Sequence, residues 1–245
     1  MPSDSAVVLI TGAGKRIGAA LASHLHARGY AVVLHYQHSK IEAETLRNQF
    51  IATRADSAFC VQADLSNANA RDGVVPAVIE RFGRLDVLIN NASSFYPTAI
   101  GETTDSDWDD LFDTNARAPF FLAQTAAPYL RERQGCIVNL LDIFAERPKP
   151  KHTVYCMAKA AQRMLTQSLA LELAPDVRVN GISPGAIMWP ESGKSEAQKQ
   201  SIIDATPLGR IGSVADICEA TGFLIESARY CTGQIIEVDG GRLLR

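Results

Sequence analysis

The sequence predicts an α/β fold, a doubly wound, seven-stranded parallel sheet with helices on both faces, forming one domain over residues 1–245. Three observations carry this reading. Ala6 to Ile10 is an unbroken apolar run rich in branched residues, as expected of a strand buried on both faces. The run breaks into Thr11-Gly12-Ala13-Gly14-Lys15-Arg16-Ile17-Gly18, and apolar residues then recur at Ile17, Ala20, Leu21 and Leu25. That is strand, glycine turn, helix. Further apolar runs alternate with helical patterns to the end of the chain, an order that packs as a parallel sheet covered on both sides.

Taken in order, Gly29-Tyr30 closes the first helix and Ala31 to Tyr36 makes a second strand. A helix over 39–53 follows, then a strand from Ser57 to Gln62 and another helix running through Phe82-Gly83. The run from Leu85 through Asn90-Asn91-Ala92-Ser93 reads as a fourth strand ending in small polar residues, and Leu140-Leu141-Asp142 ends a fifth. A long helix from His152 to Leu173 precedes strands at Val177 to Ile182 and Gln234 to Val238. Right-handed crossovers put all the strand C-termini along one edge, so the motifs that follow the strands share one site.

Composition excludes several classes of function. A chain of 245 residues with 47% hydrophobic content buries a substantial core. A net charge of −3 with no Lys/Arg block argues against nucleic acid as a partner. The five cysteines are odd in number and scattered without C-x-x-C spacing, so free thiols are expected rather than disulfides or a metal site. The opening Met-Pro-Ser-Asp-Ser lacks the basic and apolar regions of an export signal, and no run is apolar for the ~18 residues a membrane helix needs. A cytoplasmic protein without a membrane partner is the expectation.

The glycine turn is the first candidate site. Its glycines let backbone approach a ligand closely, and the helix N-terminus offers free N–H groups and a positive dipole end to a phosphate. Gly12, Lys15, Arg16, Ile17 and Gly18 are therefore candidate cofactor contacts. The second strand ends His35-Tyr36-Gln37-His38-Ser39-Lys40, with no acid before Glu42. A carboxylate at that tip serves the ribose hydroxyls of NAD, so its absence, with Lys15 and Arg16 nearby, favours NADPH. His35, Tyr36, His38 and Ser39 are assigned to the cofactor on this basis. Asp64, followed by Leu65, reads equally as a partner for an adenine amino group or as a helix cap.

The second candidate is Tyr155-Cys156-Met157-Ala158-Lys159. Tyr-x-x-x-Lys puts both side chains on one helix face, one turn apart. The ammonium is expected to stabilise phenolate and lower the Tyr155 pKa, so that the phenol exchanges a proton near neutral pH. Asp142 adds an acid thirteen residues earlier.

Together T-G-x-x-x-R-x-G from Thr11, N-N-A from Asn90, Asn115 and Y-x-x-x-K from Tyr155 resemble the short-chain dehydrogenase/reductase family, along essentially the whole chain and with its Rossmann-type fold. The resemblance implies that Tyr155 and Lys159 are catalytic, that Lys159 also holds the nicotinamide ribose, that Asn115 supports a proton-relay water, and that Asn91, Ala92, Ser93, Pro184 and Gly185 flank the cofactor. Most members carry serine where this chain has Asp142. An ionised carboxylate only accepts hydrogen bonds and repels a developing alkoxide, so Asp142 suits a substrate with N–H groups or a ring nitrogen awaiting a proton. Phe95 follows the nicotinamide loop, either to stack on a flat heterocycle or to pack on the next helix. These features, Arg16 and the D-G-G-R-x-L-R ending at Arg245 are similar to pteridine reductases and bacterial dihydromonapterin reductases.

That resemblance implies NADPH-dependent reduction of a dihydropterin, with biopterin, folate and dihydrofolate as further substrates. Arg16, Ser93, Phe95, Asp142 and Tyr155 would be the pterin contacts and a homotetramer the assembly. Where the trypanosomatid enzymes have an arginine at the 2′-phosphate, this chain has His38, which leaves the NADPH preference less supported than the fold. The polar segment 187–205, with Pro190 and Gly193, reads as a lid, and Arg245 as reaching a neighbouring site. Two other functions stay open: a generic carbonyl or 3-oxoacyl thioester reductase, and an NADPH-binding sensor without chemistry.

Overall fold

β1 (Val7–Ile10), β2 (Ala31–Tyr36), β3 (Ala58–Gln62), β4 (Val87–Asn90), β5 (Cys136–Leu140), β6 (Arg178–Pro184) and β7 (Ile235–Val238) form one parallel sheet in the order β3-β2-β1-β4-β5-β6-β7. The computed structural model describes residues 5–189 and 193–245. Every predicted strand is present, and each boundary falls within two residues of its predicted place except at the end of the fourth, where the reading runs to Ser93 and the strand stops at Asn90.

Alternation along each strand divides the core into two layers. Val7, Leu9, Val33, Leu88 and Ile137 point to one face with Leu122, Ala126 and Leu169. Val8, Ile10, Leu34, Ile89 and Val138 point to the other with Leu21, Leu25 and Ile217. Neighbouring residues thus serve opposite layers, which is why the strands read as unbroken apolar runs.

Helices α1 (Arg16–Ala27), α2 (Lys40–Thr53), α3 (Ala68–Asp72) and α4 (Val74–Phe82) occupy the first half. The single helix expected after β3 is two, divided at Gly73, with Asn67 Oδ1 capping Ala70 N–H at the start of α3. In the second half lie α5 (Asp105–Phe112), a π-helical turn at Asp113–Arg117, α6 (Ala118–Glu132), α7 (Thr153–Leu173), α8 (Glu196–Asp204) and α9 (Val214–Gly222). Among the described residues, no helix is long and apolar enough to cross a membrane. The five cysteines are free thiols, Cys136 and Cys218 buried and the others partly so.

The chain runs outward from β1 through β2 to β3, then returns to β4 on the other side of β1. This reversal opens a crevice at the C-terminal ends of β1 and β4, where the glycine turn and the Asn90-Asn91 run emerge.

Candidate active site

The glycine turn is held from both sides. Thr11 Oγ1 accepts from Asn91 N–H and Ala92 N–H, both at 2.9 Å, and Asn91 Nδ2 donates to Thr11 O at 2.8 Å. Gly12 has φ +63, and a Cβ on Gly18 would lie 2.2 Å from Gly12 O. A Cβ on Gly14 would meet Ser39 Oγ at the same 2.2 Å. These glycines keep the α1 N-terminus within reach of a ligand, as a dinucleotide cradle requires.

His35 sits under the turn, 2% exposed, and lines the cleft from below. Gly12 N–H donates to its Nδ1 at 3.2 Å, so Nε2 carries the proton and donates to Ala63 O at 3.1 Å. Burial pulls its pKa from 6.5 to about 4. Because the folded value lies below the unfolded one, its stabilising contribution is complete above pH 6.5 and is lost as pH falls through the window down to about 4. That difference corresponds to about 3 kcal/mol. Urea unfolding at pH 7 and pH 4.5 should show a smaller acid loss in His35→Gln than in the parent.

Two connected cavities run along the strand ends. The first, about 530 Å³, is lined by Gly12, Lys15, Arg16, Ile17, Gly18, His35, His38, Ser39, Asp64, Leu65, Asn91, Ala92 and Ser93. The second, about 260 Å³, is lined by Phe95, Asp142, Tyr155, Lys159, Pro184 and Gly185 and shares Arg16, Ile17, Asn91 and Ser93 with the first. Of the candidates, Tyr36 is sealed in the sheet, 4% exposed, and lines neither cavity. Asn115 is fully buried behind the cleft. Gln37, Ser94, Asp110 and Thr114 line the first cavity without having been assigned to the site from the sequence, and Ile187 and Met188 bring the start of the 187–205 segment to the second.

At the tip of β2 no carboxylate enters the cleft. Glu42 does not line it, but its Oε1 lies 2.8 Å from Lys15 Nζ. Lys15 therefore reaches the cofactor side already paired. Asp64 accepts from Ser66 N–H (2.9 Å) and Ser66 Oγ (2.7 Å) in a local turn, and Asn67 is the helix cap.

The substrate end is compact. Asp142 leaves β5 in extended conformation; its Oδ1 accepts from Phe144 N–H (3.0 Å) and its Oδ2 from the Tyr155 hydroxyl (2.8 Å). Burial pushes the Asp142 carboxyl above the usual carboxylate range, against the Phe144 and Tyr155 bonds and the Lys159 charge. Tyr155 is 3% exposed. Burial raises its pKa well above 10, Asp142 raises it further, and the Ser93 hydroxyl opposes. The lowering expected from Lys159 is reversed, first because the phenol is buried and then because the Asp142 carboxylate is in contact, while the ammonium stands 5.9 Å from the ring centroid. Lys159 Nζ donates to Leu140 O (2.8 Å) and Gln162 Oε1 (3.0 Å), and burial lowers its pKa to about 8.

Asn115 lies in the π-helical turn, its Nδ2 donating to Ser94 O and Leu111 O and its Oδ1 accepting from Ser93 Oγ at 2.6 Å. The side chain is thus committed to holding the loop after β4. Phe95 is half-exposed. It stacks on His152 at 4.8 Å and meets the Tyr155 ring edge-on at 4.7 Å, so packing fixes the ring and leaves surface for the cleft. The 187–205 segment contributes Ile187 and Met188 to the cavity and carries the exposed α8, started by a Ser195–Gln198 capping box. Pro190 lies outside the described residues. Arg245 Nη1 donates to Asp204 O of its own chain at 3.3 Å.

Residues 12–242 match the sequence model of the family described as enoyl-(acyl carrier protein) reductase. Pteridine reductase 1 of Leishmania tarentolae is 40% identical, covering 96% of this chain and 95% of its own length. A 3-oxoacyl-(acyl-carrier-protein) reductase of Staphylococcus aureus is 36% identical over 95% and 96%. An uncharacterized oxidoreductase of Methylorubrum extorquens is 36% identical over 97% and 98%.

Proposed function

The chain belongs to the short-chain dehydrogenase/reductase family and is an oxidoreductase, and from that premise we propose that it is an NADPH-dependent pteridine reductase producing a tetrahydropterin. One observation carries the choice of substrate: a carboxylate, Asp142, occupies the place facing Tyr155 and accepts the phenol proton at 2.8 Å. A group that only accepts hydrogen bonds suits a pterin, which presents N–H groups, better than a ketone, whose oxygen needs a donor. The relatives named above include both kinds of reductase, so their similarity favours neither.

The cofactor fits the cradle described above. The glycine turn and the α1 N-terminus would take the pyrophosphate, and Arg16, His38 and Ser39 would face the 2′-phosphate. Lys159 would hold the nicotinamide ribose, between Ser93 and Pro184-Gly185. When bound, NADPH supplies a hydride to a pterin ring carbon. The chain's own residues do the rest. Phe95 offers a ring face on which the pterin lies flat, and Arg16, which lines both cavities, reaches substrate and phosphate alike. Asp142 accepts from the pterin N–H groups and sets its orientation. For a dihydropterin the proton goes from water to N5, beside the hydride acceptor C6. For a fully oxidised pterin it goes from the Tyr155 hydroxyl to N8 beside C7, with Asp142 assisting. Segment 187–205 is proposed to close over the pterin tail, because it brings Ile187 and Met188 to the cavity and is tied down through Asp204.

The direct test follows NADPH oxidation with dihydrobiopterin, dihydromonapterin, dihydrofolate and a 3-oxoacyl thioester. Turnover of one or more pterins with little on the thioester is expected. Turnover of the thioester alone would hand the function to the second reading. Absence of any single-turnover hydride transfer would leave a cofactor-binding protein without chemistry. A cytoplasmic location and a homotetramer belong to the same proposal. Met157, Met164 and Leu171 recur every seven residues on the outer face of α7, 45%, 61% and 83% exposed, an apolar stripe suited to pairing with a second α7. Sedimentation of the parent against a Met164→Glu, Leu171→Glu double variant should show a smaller particle for the variant.

A further inference from the structure

Gln162 follows Lys159 by three residues on the same face of α7 and is completely buried. Its Oε1 accepts from Lys159 Nζ at 3.0 Å. An ammonium only donates, so the amide oxygen must face it and the nitrogen must face away. That nitrogen, Nε2, is buried without a hydrogen-bond partner. An unused donor in the interior costs stability relative to an apolar side chain of the same shape. Packing alone therefore gives no reason for a glutamine here.

We propose that Gln162 is a positioning residue for Lys159: together with Leu140 O it fixes the ammonium in its charged form and in one place, leaving a single N–H for the cleft. The proposal rests on the reading of Lys159 as part of the reductase site. Lys159 is 1% exposed, so water does not stabilise its charge. The titratable groups that face it are Asp142 from the segment after β5 and Tyr155 from its own helix. Asp142 is engaged by Phe144 N–H and the Tyr155 hydroxyl, which leaves the two oxygens at 2.8 and 3.0 Å as the direct partners of Nζ.

Gln162 is itself held. Thr166 Oγ1 donates to Gln162 O (2.9 Å), Asn139 Nδ2 to Thr166 Oγ1 (2.9 Å) and Asn90 Nδ2 to Asn139 Oδ1 (2.8 Å). These groups are neutral and buried, and they tie α7 to β5 and β4 directly behind the site. The stretch of α7 that carries Gln162 is therefore anchored in the sheet.

The test titrates Lys159 in the cofactor-free protein by NMR of lysine carrying 13C at Cε, with the resonance assigned by its loss in Lys159→Met. Gln162→Met keeps the shape and removes the acceptor, so the charged form loses a partner and the midpoint should fall by about one unit. Gln162→Glu adds negative charge at the same place and should raise it. Thermal unfolding of Gln162→Met, measured above the Lys159 midpoint where the lysine is neutral and loses no charged partner, should occur no lower than in the parent, since the orphaned donor is gone. In whatever reduction the enzyme performs, the loss of activity at alkaline pH should begin earlier in Gln162→Met and later in Gln162→Glu. An unmoved midpoint in both variants overturns the proposal, and so does a lower melting temperature with an unmoved midpoint, which would mark Gln162 as packing. Should Gln162→Met not fold, the rise in Gln162→Glu remains the deciding measurement. Shifted midpoints without reduction of any pterin leave the positioning role standing and remove only the substrate reading.

Discussion

Asp142→Ser should cut kcat/KM for a dihydropterin by about 100-fold, the upper range for hydrogen bonds to an ionised group, while raising turnover of a simple ketone or 3-oxoacyl thioester. The asymmetry follows from the bonds each side chain can make. The ionised carboxylate donates nothing and has about four lone-pair sites, two of them used by Phe144 N–H and the Tyr155 hydroxyl, so it attracts pterin N–H groups with the rest and repels a carbonyl oxygen gaining charge. Serine reverses the second of these by offering a hydroxyl proton to that oxygen. Folding should survive, because serine can also accept the Phe144 N–H that Asp142 Oδ1 holds at 3.0 Å.

The same variant has a second readout. Asp142 raises the Tyr155 pKa both through its charge and by accepting the phenol proton. With serine, both contributions disappear and the Tyr155 pKa falls. The Asp142 charge raises the Lys159 pKa as well, and the lysine, at about 8, titrates before the phenol, so the alkaline loss of activity should move to lower pH in Asp142→Ser. Steady-state rates against pH, with a pterin and a ketone side by side, check both effects. A variant that keeps its pterin activity and gains none on ketones would remove the carboxylate from substrate selection.

The strands were legible because each alternates between two buried layers and so shows as an apolar run, as Val87–Asn90 does with Val87 and Ile89 on one face and Leu88 on the other. The glycine turn was legible because its spacing is dictated by backbone contact, such as the 2.2 Å clash awaiting a Cβ on Gly18. Less visible was what each polar side chain does once folded. His35 lines the cleft as its place at the strand tip suggests, but its two ring nitrogens are spent on Gly12 N–H and Ala63 O, partners that only the folded chain brings together. Lys15 and Glu42 are 27 positions apart in sequence and 2.8 Å apart in space. The Tyr155 pKa moves opposite to the expectation because Y-x-x-x-K spacing shows the lysine, whereas burial, and after it the contact with Asp142, decides the direction. Gln162 could have been suspected as a polar residue on the face that carries Lys159, but only burial shows the cost of its unpaired nitrogen.

Tyr155→Phe should lower kcat on a fully oxidised pterin by roughly 10³-fold, within the range that loss of a general acid produces. Phenylalanine keeps the buried ring and its edge-on contact with Phe95, so cofactor affinity should change far less than kcat. What is removed is the proton and the bond to Asp142. Asp142 Oδ2 then loses its donor, which costs about 1–3 kcal/mol for a buried acceptor. Loss of that bond also removes one of the interactions holding the Asp142 pKa down, so the folded value rises further above the unfolded one. The folded state then binds the proton more tightly than the unfolded state, and stability falls as pH rises through that interval. Compared with the parent, Tyr155→Phe should therefore be destabilised most at neutral and alkaline pH, and the difference should shrink as acid neutralises Asp142. Urea unfolding at several pH values measures this, and single-turnover kinetics with pre-bound NADPH measure the chemical step. A Tyr155→Phe enzyme whose single-turnover rate stays within tenfold of the parent would mean that the proton comes from elsewhere.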